Sequence, residues 1–264
     1  MNDLIVKKDF LLKLIVSAGN MAKDFFYDRD SLKIDKKDHQ DFVTKADKEV
    51  EIFITNQILS RFPQDEVFGE ESQVSPTQEK NIWVVDPIDG TLPFLVGLPN
   101  WCVSIALVRN GTPVLGAVFD PNLNELFWGL TGLGSFLNET KITINKKTSL
   151  DFGMVGCGHS ARSSQTDYLA VVAKILDKGG MIYKSGSGAL MICYAATNRL
   201  TAYFEMHMNS WDVAAGLVIA KEAGFKVSNF TAGDWLKKGN PLLIAPNKIY
   251  NEIYPLIFNK HLVA

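Results

Sequence analysis

Apolar residues recur at steps of three and four through residues 4–26, a spacing that predicts an amphipathic helix. Residues 28–41 are rich in Lys and Asp and hold little to bury, so we expect a mobile loop there. A second helix is predicted to begin at Thr44 or Asp47 and to end at Pro63. Beyond Pro63, short apolar runs separated by turns predict an antiparallel meander. Its strands are predicted at residues 82–85, 101–108, 114–119 and 125–128.

From residue 163 onward, helical and extended patterns alternate along the chain. Gly224 stands where the C-terminal glycine of a helix is expected. No Pro/Ser-rich linker marks the change of pattern near residues 145–155, so we predict two halves that share an interface. These are an α+β half at residues 1–148 and an α/β half at residues 149–264. Within the second half, helices are predicted at 168–176, 188–196 and 211–223, with strands at 181–183, at 201–205 and near 227 and 242.

The composition of the 264 residues is that of a globular protein, with 47% hydrophobic residues, 21% charged residues and a formal net charge of −2. This balance excludes disorder, coiled coil and collagen, and it gives no basic footprint for nucleic acid or anionic membrane. No apolar run reaches the roughly 18 residues of a membrane helix, and the N-terminal segment lacks a secretory cleavage site. Three cysteines lie far apart without a CxxC pair, so we expect reduced thiols in a cytoplasmic protein.

Acidic residues stand at predicted strand ends and helix starts. Asp86 and Asp89 follow the strand at 82–85, while Glu70 follows the second helix and Asp212 begins a later one. Two like charges about 4 Å apart repel by about 4 kcal/mol at an effective dielectric constant of about 20, so a cluster of these acids needs a cation. No Lys or Arg lies within their immediate segments. Because all-oxygen ligands suit hard cations, we predict Mg²⁺, with Mn²⁺ or Ca²⁺ as substitutes.

The segment after the acids has the features of a phosphate site. Gly90 permits a tight turn, and Pro93 suits the first turn of a helix, where its missing N–H costs nothing. A helix starting there directs amide groups and its positive dipole end at an anion. An Asp-Gly pair alone usually marks a turn, and a Trp-Asp pair alone usually caps a helix. The conjunction of these patterns in one order is what predicts a phosphate site.

That order resembles the inositol monophosphatase family of Mg²⁺-dependent, lithium-sensitive phosphomonoesterases. The resemblance runs over nearly the whole chain and implies a layered α-β-α-β-α sandwich of the inositol monophosphatase/fructose-1,6-bisphosphatase type, with the metal site between the two halves. The matching segments are 41–47 (DFVTKAD), 69–72 (GEES), 83–91 (WVVDPIDGT), 116–121 (GAVFDP), 125–127 (ELF), 132–138 (GLGSFLN), 186–190 (GSGAL) and 211–216 (WDVAAG).

The family pattern, carried over by position, implies a role for each site residue. Asp47 would orient Thr91, which positions the attacking water, and Glu70 joins them as a catalytic residue. The metal ligands implied for two or three Mg²⁺ ions are Glu70, Asp86, the carbonyl of Ile88, Asp89 and Asp212, most of them in the first half. The substrate contacts implied are Asp89, Gly90, Thr91, Ser187, Gly188 and Glu205, with the amides of Gly90 and Thr91 on the phosphate.

The resemblance implies hydrolysis of a small phosphate monoester, inositol 1-phosphate or a related polyol phosphate, by metal-activated water without a covalent intermediate. Relatives with the same motifs hydrolyse histidinol phosphate, fructose 1,6-bisphosphate or 3′-phosphoadenosine 5′-phosphate, and these substrates stay open. Pro93 stands where the family commonly has Asn, and the small Gly188 widens the expected sugar pocket.

The resemblance also bears on the partners of the protein and on alternatives to catalysis. The resemblance implies a homodimer that binds a small phosphorylated alcohol or sugar and no membrane. Some relatives associate with transcription or RNA-processing machinery, which gives a non-enzymatic alternative, although the near-neutral charge argues against direct nucleic-acid binding. A regulatory remnant without catalysis is disfavoured because all five acids and Thr91 are present.

Overall fold

The computed structural model describes residues 2–29, 34–38, 41–72, 81–145 and 149–258, with the backbone alone described at 34–38 and 41–44. The helices are α1 (Asn2–Tyr27), α2 (Lys45–Arg61), α3 (Thr91–Leu95), α4 (Gln165–Asp177), α5 (Gly188–Ala196), α6 (Ser210–Glu222), α7 (Trp235–Lys238) and α8 (Asn247–Phe258). The strands are β1 (Ile34–Asp38), β2 (Asp41–Thr44), β3 (Glu66–Gly69), β4 (Asn81–Asp89), β5 (Cys102–Arg109), β6 (Thr112–Asp120), β7 (Glu125–Leu130), β8 (Gly134–Leu137), β9 (Thr140–Lys141), β10 (Met154–Gly158), β11 (Met181–Tyr183), β12 (Ala202–Met208), β13 (Lys226–Val227) and β14 (Asn240–Ala245).

The larger sheet has seven strands in sequential order from β3 to β9. The β3–β4 pair is parallel, and the remaining pairs are antiparallel, as the predicted meander requires. Side chains of β4 alternate between two cores: Trp83 and Val85 pack with α1 and α2, whereas Ile82 and Val84 pack with α5 and α6. Both faces of this sheet are therefore covered by helices.

The smaller sheet has five strands in the order β11-β10-β12-β14-β13. β10 is parallel to both β11 and β12, while β14 is antiparallel to β12 and β13. Tyr203 of β12 packs toward α5 and α6, and Phe204 packs on the opposite side with α4 and α8. The layers are therefore α1/α2, the large sheet, α5/α6, the small sheet and α4/α8, which confirms the predicted α-β-α-β-α sandwich.

Most predicted elements are present, and two predictions need correction. The region 28–41 is not simply a loop, because β1 pairs with β2 in a separate two-stranded antiparallel sheet; residues 30–33 and 39–40 lie outside the described residues. The strand predicted at 82–85 does not end at Asp86 but continues to Asp89, with an irregularity in its pairing after Asp86. The prediction of α5 matches the structure at both ends, and Gly224 follows α6 with φ of 93°.

The three cysteines are free and buried, as expected for reduced packing residues. Cys102 and Cys193 belong to the core between the sheets, and Cys157 belongs to the core beside α4 and α8. Among the helices of the described ranges, none combines the length and hydropathy of a membrane span.

Gly116→Ala is expected to destabilise the fold, because α6 approaches β6 without room for a side chain. A Cβ at Gly116 would lie 2.5 Å from the carbonyl oxygen of Ala215 and 2.6 Å from its Cα. Displacing this backbone should cost about 1–3 kcal/mol of unfolding free energy, measured by urea denaturation. Thr112→Ala, at the exposed start of the same strand, is the control and should change stability by at most about 0.5 kcal/mol. An equal effect of the two variants would contradict this packing argument.

Candidate active site

Three carboxylates from two separate elements meet between the sheets. Asp86 and Asp89 lie at the carboxyl end of β4, and Asp212 lies in the first turn of α6. One oxygen atom from each of the three lies within 4.8 Å of those from the other two. The structure therefore brings together acids that are more than 120 positions apart in the sequence, as the carboxylate pattern predicts.

Asp86 is the most deeply buried member, with no exposed surface. Its Oδ1 accepts a hydrogen bond from the amide of Ile88 at 3.0 Å, but its Oδ2 accepts none from an amide or hydroxyl in the described part of the chain. A buried oxygen without a donor is costly unless a proton or a cation compensates it. The most deeply buried member of the cluster therefore has an oxygen atom that needs a proton or a cation as its partner.

Electrostatics at the cluster are those of crowded like charges. Burial raises the pKa of Asp86 well above its usual range, and the charge of Glu70 adds more to this rise than those of Asp89 and Asp212. For Asp212, burial again raises the pKa most, followed by repulsion from Asp89. Without a cation, the fold therefore favours protonated forms of these acids.

Glu70 approaches the cluster from the end of β3. Its amide donates to the carbonyl of Val85 at 3.1 Å, which ties its segment to β4. The same segment rests on Glu51 of α2, which the sequence analysis did not identify: Glu51 Oε2 accepts from the amide of Glu71 at 2.9 Å. The close approach of the Glu51 side chain to the backbone explains the Gly at position 69, since a Cβ there would lie 2.2 Å from Glu51 Oε2.

Thr91 begins α3 directly after the acids. Its hydroxyl has one proton and two acceptors within reach, Asp47 Oδ1 at 3.4 Å and the carbonyl of Ile88 at 3.2 Å, so the expected Thr–Asp pair is present at a long distance. Gly90 precedes the helix with φ of 97°, in the left-handed region that favours glycine. Pro93 is the third residue of α3, within the first turn as predicted, where amides have no intrahelical acceptor.

Asp89 is held by the beginning of α5. Its Oδ2 accepts hydrogen bonds from the Ser187 hydroxyl and from the Ala189 amide, the latter at 2.7 Å. Its Oδ1 accepts from the Gly188 amide at 3.3 Å. Burial raises the pKa of Asp89, and these three donors oppose the rise. The contact joins the end of β4 to a helix that lies about 100 residues further along the chain.

A cleft of about 190 Å³ opens beside the acids. Its lining includes Glu205, whose Oε2 accepts from the Tyr203 hydroxyl at 2.7 Å. Burial raises the pKa of Glu205 to about 7, with Tyr203 opposing the rise. The sequence analysis identified four of the lining residues, Asp89, Ser187, Gly188 and Glu205, as substrate contacts, and Asp212 as a metal ligand. It missed Cys157, Gly158, His159, Lys184, Gly186, Met191, Tyr203 and Met208.

Strand pairing explains why the rest of this lining was not predicted. Gly158 of β10 is the register partner of Glu205 on β12, and a Cβ at Gly158 would lie 1.9 Å from Glu205 Oε2. The parallel pairing that brings these strands together leaves no local signal in either segment. His159 therefore lies at the cleft wall, a position that its spacing in the sequence does not indicate.

The residues fit a hard divalent cation. The clustered atoms are carboxylate oxygens, Asp86 has a buried oxygen with no amide or hydroxyl donor among the described residues, and the mutual repulsion of the acids is what a cation neutralises. Carboxylate chemistry alone does not choose between Mg²⁺, Mn²⁺ and Ca²⁺. Any of them would bind best at a pH where the acids are ionised.

A five-layered fold with buried carboxylates between its sheets places the chain in the class of layered α/β proteins with a candidate metal site at the centre. The model of the inositol monophosphatase family matches residues 8–260. The chain belongs to the inositol monophosphatase family, which confirms the resemblance deduced from its motifs.

Known relatives cover nearly the whole chain. A protein called Nus factor SuhB from Haemophilus influenzae is 34% identical over 241 residues, covering 89% of this chain and 90% of the relative. The crystal structure of extragenic suppressor protein suhB from Bartonella henselae is similar at a TM-score of 0.88 and 26% identity, covering 96% of this chain and 98% of that one.

Two further structures contain ligands. SaIMPase-II bound to inositol monophosphate is similar at a TM-score of 0.80 and 26% identity, covering 97% of this chain and 95% of that one. SaIMPase-II bound to 2′AMP gives the same score and identity, with coverage of 96% and 94%. Both ligands are small molecules that carry one phosphate monoester.

Proposed function

We propose that the protein hydrolyses a small polyol phosphate monoester, inositol 1-phosphate foremost, with Mg²⁺ as its cofactor. The observation that carries this proposal is the convergence of the carboxylates of Asp86, Asp89 and Asp212, of which Asp86 is fully buried and the other two line a cleft. Membership of the inositol monophosphatase family supports it. The inositol monophosphate in a related structure supports the choice of substrate.

The ligands in this proposal are Glu70, Asp86, the carbonyl of Ile88, Asp89 and Asp212. Bound divalent ions would neutralise phosphate charge and lower the pKa of water, as they do in other two-metal sites. Thr91 would orient the attacking water and accept a proton from it, while the hydroxyl proton of Thr91 moves to Asp47, its hydrogen-bond partner. The first-turn amides at Gly90 and Thr91 would donate to the phosphate oxygens.

The part of the cleft lined by Glu205 would bind the alcohol portion of the substrate. Glu205 offers carboxylate oxygens to hydroxyl groups, and Gly188 lines the same cleft. Lys184 also lines the cleft, and its charge lowers the pKa of Glu205, so the wall presents both an acceptor and a donor. Such a mixture suits a polyol better than an apolar alcohol.

A panel of phosphate monoesters tests the proposal directly. Phosphate release would be measured with Mg²⁺ for inositol 1-phosphate, histidinol phosphate, fructose 1,6-bisphosphate, 3′-phosphoadenosine 5′-phosphate and 2′AMP. We expect the highest kcat/KM with inositol 1-phosphate. Faster turnover of histidinol phosphate would replace the polyol by an amino alcohol as substrate, and no release above buffer from any compound would refute phosphatase activity.

Glu205→Gln is expected to lower kcat/KM for inositol 1-phosphate by about 10- to 100-fold, because an ionised hydrogen-bond acceptor is lost. The amide oxygen can still accept from Tyr203, so the fold should be retained. Hydrolysis of p-nitrophenyl phosphate, which has no hydroxyl groups to bind, is the control and should change little. An equal loss on both substrates would contradict a role of Glu205 in recognising the alcohol.

The relatives called Nus factor SuhB favour a second candidate, binding to transcription or RNA-processing machinery without need of catalysis. A net charge of −2 weighs against direct binding to RNA. A gel shift with generic RNA over a range of salt concentrations separates the two cases. Salt-sensitive binding together with no phosphate release would favour this second candidate.

A further inference from the structure

We infer that Ser187 is a positioning residue, whose hydroxyl fixes the carboxylate of Asp89 for metal binding rather than contacting the substrate. The inference rests on the proposed metal-dependent function. It goes beyond that function because it assigns control of a ligand on β4 to a residue at the start of α5.

The hydrogen bonds of Ser187 carry the inference. A serine hydroxyl has one proton to donate, and that of Ser187 is donated to Asp89 Oδ2. The same oxygen of Ser187 accepts from the Leu190 amide at 3.3 Å, which makes Ser187 the N-cap of α5. Because its proton is donated to Asp89, Ser187 has none left for a ligand in the cleft. Only 1% of its surface is exposed.

The carboxylate of Asp89 has other contacts besides that with Ser187. The Ala189 amide donates to Oδ2 at 2.7 Å, and the Gly188 amide lies 3.3 Å from Oδ1. Cys102, at the start of β5, places its thiol 3.8 Å from Oδ2 and 3.6 Å from the Ser187 hydroxyl. Only Ser187 and Cys102 among these donors are side chains, and the Ser187 hydroxyl makes the closer contact, so it is the stronger one that a substitution can remove without moving the backbone.

Loss of the Ser187 hydrogen bond should weaken the binding of a metal ion by Asp89. Donors to a metal-binding side chain fix its orientation, and their loss lowers metal affinity by about 10- to 100-fold. A direct substrate contact would instead raise the KM for the substrate and leave metal binding unchanged. The two roles therefore differ in a measurement that needs no turnover.

The test is Mn²⁺ binding followed by electron paramagnetic resonance, with no substrate present. Ser187→Ala is expected to raise the Kd for Mn²⁺ by about 10- to 100-fold. Ser187→Thr keeps the hydroxyl, and its Kd should lie within about 3-fold of that of the unmodified chain. Ser164→Ala is the matched control, because Ser164 caps α4 through the Asp167 amide, away from the acids. It removes an N-cap of the same kind and should leave the Kd unchanged.

Two results would overturn the inference. One is an unchanged Kd for Mn²⁺ in Ser187→Ala together with a raised KM for the phosphate substrate. The other is an equal loss of Mn²⁺ binding in Ser187→Ala and Ser164→Ala, since this would reflect a general loss of stability. If the unmodified chain releases no phosphate yet Ser187→Ala weakens Mn²⁺ binding, the proposed function fails and the positioning role stands.

Discussion

Asp86→Asn is expected to lower kcat/KM for phosphate release by about 1000-fold while making the metal-free protein more stable. The loss corresponds to about 4 kcal/mol, within the several kcal/mol that a bound cation contributes to charge stabilisation. The stability of the metal-free protein should rise because Asn keeps the Oδ1 acceptor for the Ile88 amide and removes one of the repelling charges. The Asn side chain also brings an N–H donor to a position beside the carboxylates of Asp89 and Asp212.

Phosphate release and thermal unfolding in EDTA measure the two effects. Asp120→Asn is the matched control: Asp120 is also buried, and its Oδ1 accepts from two backbone amides, those of Asn122 and Leu123. It lies outside the acid cluster, so its activity should stay within about twofold of the unmodified chain. A lower melting temperature of metal-free Asp86→Asn would contradict the account of the cluster as a site of uncompensated charge.

The metal-free protein is expected to be more stable at pH 5 than at pH 8, and saturating Mg²⁺ should remove the difference. Raised pKa values mean that the folded state retains protons that the unfolded chain releases. The stability is therefore complete below the unfolded pKa, near 4, and is lost as the pH rises through the folded pKa. Glu205 alone, with its pKa raised from 4.5 to about 7, would account for about 3 kcal/mol.

Mg²⁺ should act in the opposite direction, because it binds ionised acids in the folded state only. At 100 times its Kd, one ion adds about 2.7 kcal/mol of stability, and the effect should be larger at pH 8 than at pH 5. Melting temperatures in EDTA and in Mg²⁺, at constant ionic strength, measure both effects. A metal-free melting temperature that is flat or rises from pH 5 to pH 8 would be inconsistent with the cluster, and Asp86→Asn should reduce the pH slope.

Elements with strong local patterns were predicted well from the sequence. The helix α5 and the strand β11 have the predicted bounds, because apolar content and flanking Gly residues mark them locally. The sequence analysis missed β3, which has only four residues, and α8, which contains Pro255. The hairpin of β1 and β2 was hidden by its charge, since its pairing comes from backbone hydrogen bonds that composition does not reveal.

The parts of the site that depend on the type and position of single residues were predicted from the sequence. The parts that depend on contacts between distant segments were not. Asp86, Asp89 and Asp212 converge as expected because strand ends and helix starts carry them. The support of Glu51 for the Glu70 segment arises only from the packing of α2 against β3. The cleft wall requires the register of β10 with β12, which the sequence of neither strand encodes alone.

The position of α6 between the two sheets has a consequence for how the molecule is synthesised. This helix covers one face of the large sheet and also supplies Asp212. A nascent chain that has produced β3 to β9 still exposes an apolar surface until residues 210–222 emerge. Productive folding on the ribosome thus waits for a late segment, and the acid cluster is completed in the same step that buries that surface.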